Sequence, residues 1–294
     1  MITGQLYRDA TIVKAKAFWE LLKFRLSFLV AFSCAFGFML ASPKADVGVL
    51  AILFLGGFLL SGASVVVNQI IERDLDKVMD RTMHRPLPTG RVTVAEAFVF
   101  AALCFVVGIS LLLLFTNVLT AILSTVSMVL YSFVYTPLKR VGPIAVFVGA
   151  IPGALPPLLG WTAATGVLSY EAWIIFGIQF IWQFPHFWAI AWVADDDYKR
   201  AGFKLLPSGG KKDLNTAIQI MIYTMCLIPM GLLPATFGIT GIYSAMVATI
   251  CGVLFFAQTF SLMRDGNRRS AMRIMFGSFL YLPIVQLAYL LDKL

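Results

Sequence analysis

Charged residues are scarce in this chain of 294 residues, where Asp, Glu, Lys and Arg together make up 13%. An average soluble domain carries roughly 25%. Hydrophobic residues account for 60% of the chain, and no long hydrophilic stretch separates its apolar segments. This composition argues against a soluble protein and predicts an all-α, polytopic membrane protein that forms a single integral domain over residues 1–294. Nothing in it indicates binding to nucleic acid.

Cysteine and histidine are also rare, with four cysteines and two histidines in the whole chain. Every cysteine falls within an apolar segment, and no two have the spacing of a metal site or a disulfide framework. We therefore interpret the cysteines as small buried hydrophobic residues. They are Cys34, Cys104, Cys226 and Cys251.

Long apolar segments, by contrast, are frequent. A membrane-spanning helix needs about 20 mostly apolar residues, and nine segments of the sequence meet that requirement. We predict nine transmembrane helices near residues 22–41, 48–70, 95–115, 118–137, 142–164, 171–193, 214–237, 241–262 and 273–291.

The basic residues are distributed unevenly between the two sides of such a nine-helix protein. Of the 23 Lys and Arg residues, 21 fall on the side of the N-terminus, and only Lys44 and Lys293 lie opposite. Because Lys and Arg are retained on the cytoplasmic side, we expect the N-terminus and the acidic loops described next to be cytoplasmic. For a bacterial protein this implies the inner (plasma) membrane.

Seven of the 15 acidic residues lie in two short stretches, 72–80 and 195–197, which open the loops 72–91 and 195–213 after the second and sixth spans. Four crossings separate the loops, so both face the same side. Residues four apart differ by only about 40° in their direction around a helix. We therefore predict that polar residues at this spacing in and before the first loop form one polar stripe. The stripe consists of Asn68, Glu72, Asp76 and Asp80.

Carboxylates stacked at this spacing repel one another, and a bound cation removes the repulsion. Oxygen ligands suit Mg²⁺, whose coordination is often completed by substrate phosphates, and basic side chains on the same side can hold phosphate oxygens. We therefore predict a Mg²⁺–diphosphate site, the alternative being a solvated loop neutralised by local ion pairs. The candidate bases are Arg73, Arg81, Arg85, Lys139, Arg140, Lys199 and Lys204.

The second loop opens with three consecutive aspartates, which cannot share one helical face. We expect surface ion pairs of Asp195 with Lys199 and of Asp196 with Arg200, and one of the three aspartates to be a metal ligand.

The sixth and fifth spans contain unusual polar residues and prolines. Gln179, Gln183 and His186 form a polar face inside the membrane, and such residues face a protein interior or a cavity. His186 is either a hydrogen-bonded core residue or a group that contacts substrate. The fifth span is rich in proline and glycine, which is typical of a broken helix that lines a cavity.

Together these residues resemble the UbiA superfamily of intramembrane prenyltransferases, and more closely its haem-farnesylating branch. The resemblance covers nearly the whole chain, and its motifs stand in that family's order. They are NQIIERDLDKVMDRTMHRPLPTGR from Asn68, YTPLKR from Tyr135, GAIPGALPPLLGW from Gly149 and WQFPHFWAIAWVADDDYKRAGFKLLP from Trp182.

The resemblance implies a nine-helix bundle around a central cavity, with Mg²⁺ between the acidic loops and farnesyl diphosphate. Asn68, Glu72 and Asp76 match the first acidic motif and Asp197 the second, so these four residues are the expected catalytic set together with His186. Other branches often have an acid where this chain has Val193. Asp196 is the residue expected to compensate, and the implied metal ligands are Glu72, Asp76, Asp196 and Asp197.

The resemblance also implies the reaction and the partners. A vinyl group of haem B accepts the farnesyl group, and water addition then gives haem O. His186 would ligate the iron, orient the porphyrin or accept a proton, and the bases would hold diphosphate or haem propionates. A haem-A synthase or a terminal-oxidase assembly would receive the product in the bilayer.

Two alternatives remain open from the sequence. The chain could prenylate an aromatic quinone precursor or a chlorophyll-type acceptor with the same chemistry. It could instead be a non-enzymatic subunit for haem or anion transport, although the acids cluster at one membrane face rather than at the midplane where transporters bind ions.

Overall fold

The computed structural model describes residues 2–44 and 46–294, with side chains described from residue 12 onward in these ranges. This part of the chain is helical and contains no strand, only an isolated bridge between Thr240 and Lys293. Nine of its helices are long and apolar enough to cross a membrane, which confirms the predicted all-α class and the nine spans. They are α2 (Phe24–Ala41), α3 (Val47–Ile71), α5 (Val94–Phe115), α6 (Val118–Leu138), α7 (Ile144–Thr165), α8 (Tyr170–Val193), α10 (Leu214–Thr236), α11 (Ile242–Asp265) and α12 (Arg268–Leu291).

Three further helices lie outside the spans: α1 (Ile2–Leu21), α4 (Arg73–Asp76) and α9 (Asp195–Arg200). The sequence did not predict α1. Lys23 lies between α1 and α2, and its φ of 45° is in the left-handed region. This conformation is rare for a residue with a side chain, and it ends α1 where α2 begins.

The bundle core depends on very close contact between α2 and α7. A Cβ atom at Gly37 would lie 1.8 Å from the carbonyl oxygen of Pro157, and one at Gly160 would lie 1.8 Å from the carbonyl oxygen of Cys34. Small residues let membrane helices approach at backbone distance, where packing rather than the hydrophobic effect holds them together. Gly37 and Gly160 therefore fix the position of α7 in the bundle.

The helix α7 is continuous despite Pro152, Pro156 and Pro157, so the predicted break is wrong. A proline leaves the carbonyl four residues earlier without its helical partner. Here Gln179 on α8 donates to the carbonyl of Gly153 at 2.9 Å, and Ser127 on α6 donates weakly to that of Pro152 at 3.4 Å. Neighbouring side chains thus take over two of the lost hydrogen bonds, and the helix stays intact.

The last part of α6 winds as a π-helix over Leu130–Tyr135. Pro137, two residues beyond its end, lacks the N–H that would bond to the carbonyl of Phe133. Single π turns inside α-helices are frequently found at functional sites. This one places Tyr131, Tyr135 and Thr136 beside the end of α3.

Candidate active site

The predicted polar stripe is present at the end of α3 and in α4, but it is shorter than expected. Asn68, Glu72 and Asp76 are all buried, with exposures of 2%, 4% and 0%. Asp80 is exposed and lies beyond the end of α4, so the four-residue period stops at Asp76. Asp74 points away from the stripe and pairs with Arg73 and Lys77.

Both carboxylates of the stripe face basic side chains. Arg85 donates from one Nη atom to both oxygens of Asp76, at 2.9 and 2.8 Å. Lys139 Nζ lies 2.8 Å from Oε1 of Glu72 and over the rings of Tyr135 and Phe203. The buried acids are therefore paired with bases that come from two other segments of the chain, which is what burial of a charge requires.

The stripe offers carboxylate and amide oxygens as ligands. Oε1 of Glu72 is buried and forms an ion pair with Nζ of Lys139 at 2.8 Å. The amide nitrogen of Asn68 donates to Thr136 at 3.0 Å, and Thr136 donates onward to the carbonyl of Tyr131. With its nitrogen held in this way, the amide leaves its oxygen without a hydrogen bond among the described residues. Such an all-oxygen set fits Mg²⁺.

The two acidic loops are in contact through Asp197. Its carboxylate accepts hydrogen bonds from the backbone N–H groups of Asp80 and Arg81, at 3.1 and 3.3 Å. Arg200 pairs with Asp197 and also with Asp80, the latter at 2.6 Å. Burial alone would raise the pKa of Asp197, but the hydrogen bonds from Arg200 and from the two backbone N–H groups outweigh it, so this pKa lies below its ordinary value.

The other two aspartates of the second loop differ from the expectation. Asp195 is buried and pairs with both Lys199 and Lys212, at 2.8 and 3.2 Å, so its pairing with Lys199 is confirmed but it is not a surface residue. Asp196 is exposed. Its expected pairing with Arg200 is wrong, because Arg200 turns toward the first loop.

The loops meet without assembling a complete metal site. Within residues 2–44 and 46–294, no group of three or more His, Cys, Asp or Glu side chains is arranged to hold a metal ion. Arg85, Lys139 and Arg200 neutralise the acids instead. The metal roles of Glu72, Asp76, Asp196 and Asp197 therefore remain predictions.

The remaining candidate bases are exposed at this end of the bundle. Arg81 is exposed, with its guanidinium 6.0 Å from the centre of the Tyr198 ring. Lys204 is exposed, and its backbone N–H donates to the carbonyl of Lys139 at 3.1 Å. Three others are exposed at the same end of the bundle: Arg73, Arg140 and Lys199.

Sequence reasoning missed Lys23. Burial, followed by the charges of Arg85 and Lys139, lowers the pKa of Lys23 well below its ordinary value, against the opposite effect of Asp76 and Glu72. The ammonium group therefore belongs to the same electrostatic cluster as the stripe. The only hint in the sequence is a lysine placed directly before the first apolar run.

Below this cluster an apolar cavity of about 300 Å³ extends into the bundle. Gly149, Pro152, Gly153 and Pro156 of α7 line it, which confirms α7 as a cavity wall. Ser61 and Ser64, on the membrane side of Asn68, line it as well. The predicted polar face of α8 also points into it, through Gln179, Gln183 and His186.

The polar groups of the cavity are held by partners on α12, which the sequence did not reveal. Gln286 donates to Gln179 at 3.0 Å and to Ser33 at 3.1 Å. His186 contacts Ser278 through Nδ1 at 2.8 Å. Each pair spans about 100 residues or more of sequence, so no local pattern could have predicted it.

The sequence of the chain is similar to those of known proteins. Residues 30–282 match the model of the UbiA prenyltransferase family. The protoheme IX farnesyltransferase of Cytophaga hutchinsonii is 51% identical over 95% of this chain and 98% of its own length. The mitochondrial protoheme IX farnesyltransferase of Arabidopsis thaliana is 36% identical over 95% of this chain and 65% of its own length.

Solved structures show the same fold. A digeranylgeranylglyceryl phosphate synthase superposes with a TM-score of 0.78 at 21% identity, covering 95% of this chain and 98% of its own. A UbiA homolog from Archaeoglobus fulgidus bound to GPP and Mg²⁺ superposes with a TM-score of 0.65 at 16% identity, covering 93% and 99%. The sequence match and the shared fold agree, and the chain belongs to the UbiA prenyltransferase family.

Proposed function

We propose that the chain transfers the farnesyl group of farnesyl diphosphate to a vinyl group of haem B, with addition of water, to give haem O and diphosphate. One observation carries the proposal: a cluster of paired acids and bases adjoins, at Tyr135, an apolar cavity that is lined by a buried histidine. The relatives of similar length that are named protoheme IX farnesyltransferase support this choice of acceptor.

The charged mouth suits the diphosphate. Arg85 and Lys139 form a cationic pair beside the Asn68–Asp76 stripe. When the diphosphate arrives, its oxygens replace the carboxylates as partners of these bases. The acids released in this way, Glu72 and Asp76, together with the amide oxygen of Asn68, would hold Mg²⁺. The ion would supply Lewis-acid stabilisation of the leaving diphosphate.

The cavity suits the farnesyl chain and the acceptor. The bond between farnesyl C1 and the diphosphate oxygen breaks, and the electron pair leaves with the diphosphate. The vinyl group then donates its π electrons to C1, and the cation left on the porphyrin side chain takes up water and releases one proton. Apolar walls keep bulk water from the allylic cation, and aromatic faces such as that of Tyr135 stabilise it.

The distribution of bases supports an orientation for this machinery. The mouth and both acidic loops lie at the end that carries 21 of the 23 Lys and Arg residues. We place this end at the cytoplasmic face of a bacterial inner membrane, where water-soluble Mg²⁺ has access to it.

The acceptor is tested by competition. Purified protein in nanodiscs receives farnesyl diphosphate and Mg²⁺ with equal concentrations of haem B and 4-hydroxybenzoate, and all products are identified by mass. We expect haem carrying one farnesyl group and one water, with the aromatic acid unchanged. Prenylated aromatic acid with unmodified haem would overturn the proposal in favour of a quinone-precursor enzyme, and intact farnesyl diphosphate would favour a transport subunit.

A further inference from the structure

The buried ring of His186 is attached to α12 through Ser278. The distance between Nδ1 of the imidazole and Oγ of the serine is 2.8 Å. Exposures are 9% for His186 and 0% for Ser278, so water does not compete for this contact. The direction of the hydrogen bond decides which ring nitrogen carries the proton.

In its contact with His186, the hydroxyl oxygen of Ser278 can only accept the hydrogen bond. Its hydroxyl donates to the carbonyl oxygen of Met275 at 2.6 Å, and a hydroxyl has one proton to give. The contact with His186 must therefore run from Nδ1–H to Oγ. In a neutral imidazole the other nitrogen, Nε2, then carries the lone pair.

Trp182 fixes the plane of the ring. It lies one helical turn before His186, and its indole N–H donates to the backbone carbonyl of the same Ser278 at 3.0 Å. The indole stacks on the imidazole with 4.4 Å between ring centres and 21° between planes, and Phe279 meets it edge-on at 5.1 Å. Ser278 and Trp182 together hold the imidazole of His186 in a single orientation.

The free nitrogen faces the cavity. His186 lines it, and the bond to Ser278 is the only hydrogen bond of this side chain among the described residues. Nε2 is therefore a buried electron-pair donor without a protein partner. A proton there would leave an imidazolium without a counter-ion in an apolar site, which is costly.

We propose that Ser278 is a positioning residue that holds His186 as the Nδ1–H tautomer, so that Nε2 binds the metal of a porphyrin in the cavity. A metal-bound histidine needs this arrangement, in which the second nitrogen donates to a fixed acceptor that sets tautomer and orientation. The identity of the porphyrin rests on the proposed function, whereas the tautomer does not.

The tautomer is tested first, without any substrate. The chain has only two histidines, so ¹⁵N-histidine labelling of a His84→Gln variant leaves His186 as the single labelled ring. We expect ¹⁵N NMR in micelles to show a protonated Nδ1 and an unprotonated Nε2. Ser278→Ala should shift the equilibrium toward Nε2–H, the form that free imidazole side chains prefer, and Ser278→Thr should retain Nδ1–H. A wild-type ring already protonated on Nε2 would overturn the proposal.

Metal binding is tested with zinc protoporphyrin IX, which is diamagnetic and does not require turnover. We expect its addition to shift the Nε2 resonance and leave the Nδ1–H resonance in place, with affinity about 10–100-fold weaker in Ser278→Ala and restored in Ser278→Thr. An unshifted Nε2 would contradict coordination even if the chain makes haem O. Coordination without haem O formation would support the inference while overturning the proposed reaction. Unchanged binding of farnesyl diphosphate by the variants shows that they are folded.

Discussion

Arg85 donates one Nη group to both carboxylate oxygens of Asp76, at 2.9 and 2.8 Å, and this carboxyl group is entirely buried. The guanidinium thus neutralises an acid that the proposed reaction assigns to Mg²⁺. Substrate binding then becomes an exchange of partners, in which Arg85 moves to the diphosphate and Asp76 to the metal.

Arg85→Ala tests this exchange through stability. Removing the base leaves Asp76 as a buried, unpaired charge, and breaking a buried pair costs about 3–5 kcal/mol. We expect a lower Tm for this variant, and a rise in Tm on addition of Mg²⁺ that exceeds the rise seen in the wild type. Thermal unfolding in detergent, with and without Mg²⁺, measures both effects. An equal response of the two proteins to Mg²⁺ would mean that the cation does not reach Asp76.

Thr136 is predicted to orient Asn68 for metal binding. Thr136→Val removes the acceptor for the amide nitrogen and frees the amide to turn, so we expect the half-saturating concentration of Mg²⁺ to rise by roughly 10-fold, the lower end of effects seen when support for a metal ligand is lost. Thr136→Ser keeps the hydroxyl and serves as the matched control. If valine and serine behave alike in a Mg²⁺ titration of activity, Asn68 does not depend on Thr136.

The contact between α2 and α7 predicts a sharp steric effect. A methyl group at Gly160 would overlap the carbonyl oxygen of Cys34 at 1.8 Å, whereas one at Gly142 meets nothing within 4 Å. Overpacking typically costs about 1–3 kcal/mol. We expect Gly160→Ala to lower the Tm and the yield of folded protein, and Gly142→Ala to match the wild type. Equal stability of the two variants would contradict the close helix approach.

The contact between the acidic loops should depend on the charge of Asp197. Its pKa is lowered in the folded protein from an ordinary value of 3.8, so its stabilising effect is present above that value and is lost as the pH falls through the lower, folded-state pKa. We therefore expect no change in loop contact between pH 5 and 8.

Hydrogen exchange measures this contact directly, because the backbone N–H groups of Asp80 and Arg81 donate to Asp197. Asp197→Ala should speed exchange in the peptide that contains them at neutral pH, while Asp196→Ala, which alters an exposed neighbour, should not. Equal exchange in both variants would show that Asp197 does not hold the loops together.

The sequence predicted the parts of the site that depend on local interactions and missed the parts that depend on contacts between distant residues. The positions of Asn68, Glu72 and Asp76 follow from helical periodicity, which is local. The period fails at Asp80 because α4 ends at Asp76, and at the next turn Met79, not Asp80, is buried. The pattern of apolar residues does not indicate that the helix ends at Asp76.

The sequence does not show which of the three aspartates in the second loop is buried. Their side chains are identical, so the burial of each one depends on partners that are distant in the sequence. Lys212 is 17 positions beyond Asp195 and helps to bury it, and the backbone of the first loop captures Asp197. The roles of Ser278 and Gln286 on α12 could not be predicted for the same reason. A single serine or glutamine in an apolar span does not indicate which residue of another helix it contacts.

In the proposed reaction, the buried stripe activates a diphosphate for transfer. Two variants on opposite sides of α4 test this role most directly. Formation of haem O from haem B and farnesyl diphosphate is measured by mass spectrometry across a Mg²⁺ titration for Asp76→Ala and Asp74→Ala. We predict that Asp76→Ala loses at least about 100-fold in rate, as expected when a group that stabilises transition-state charge is removed, and that the exposed Asp74→Ala keeps wild-type activity. Full Mg²⁺-dependent activity of Asp76→Ala would contradict the account.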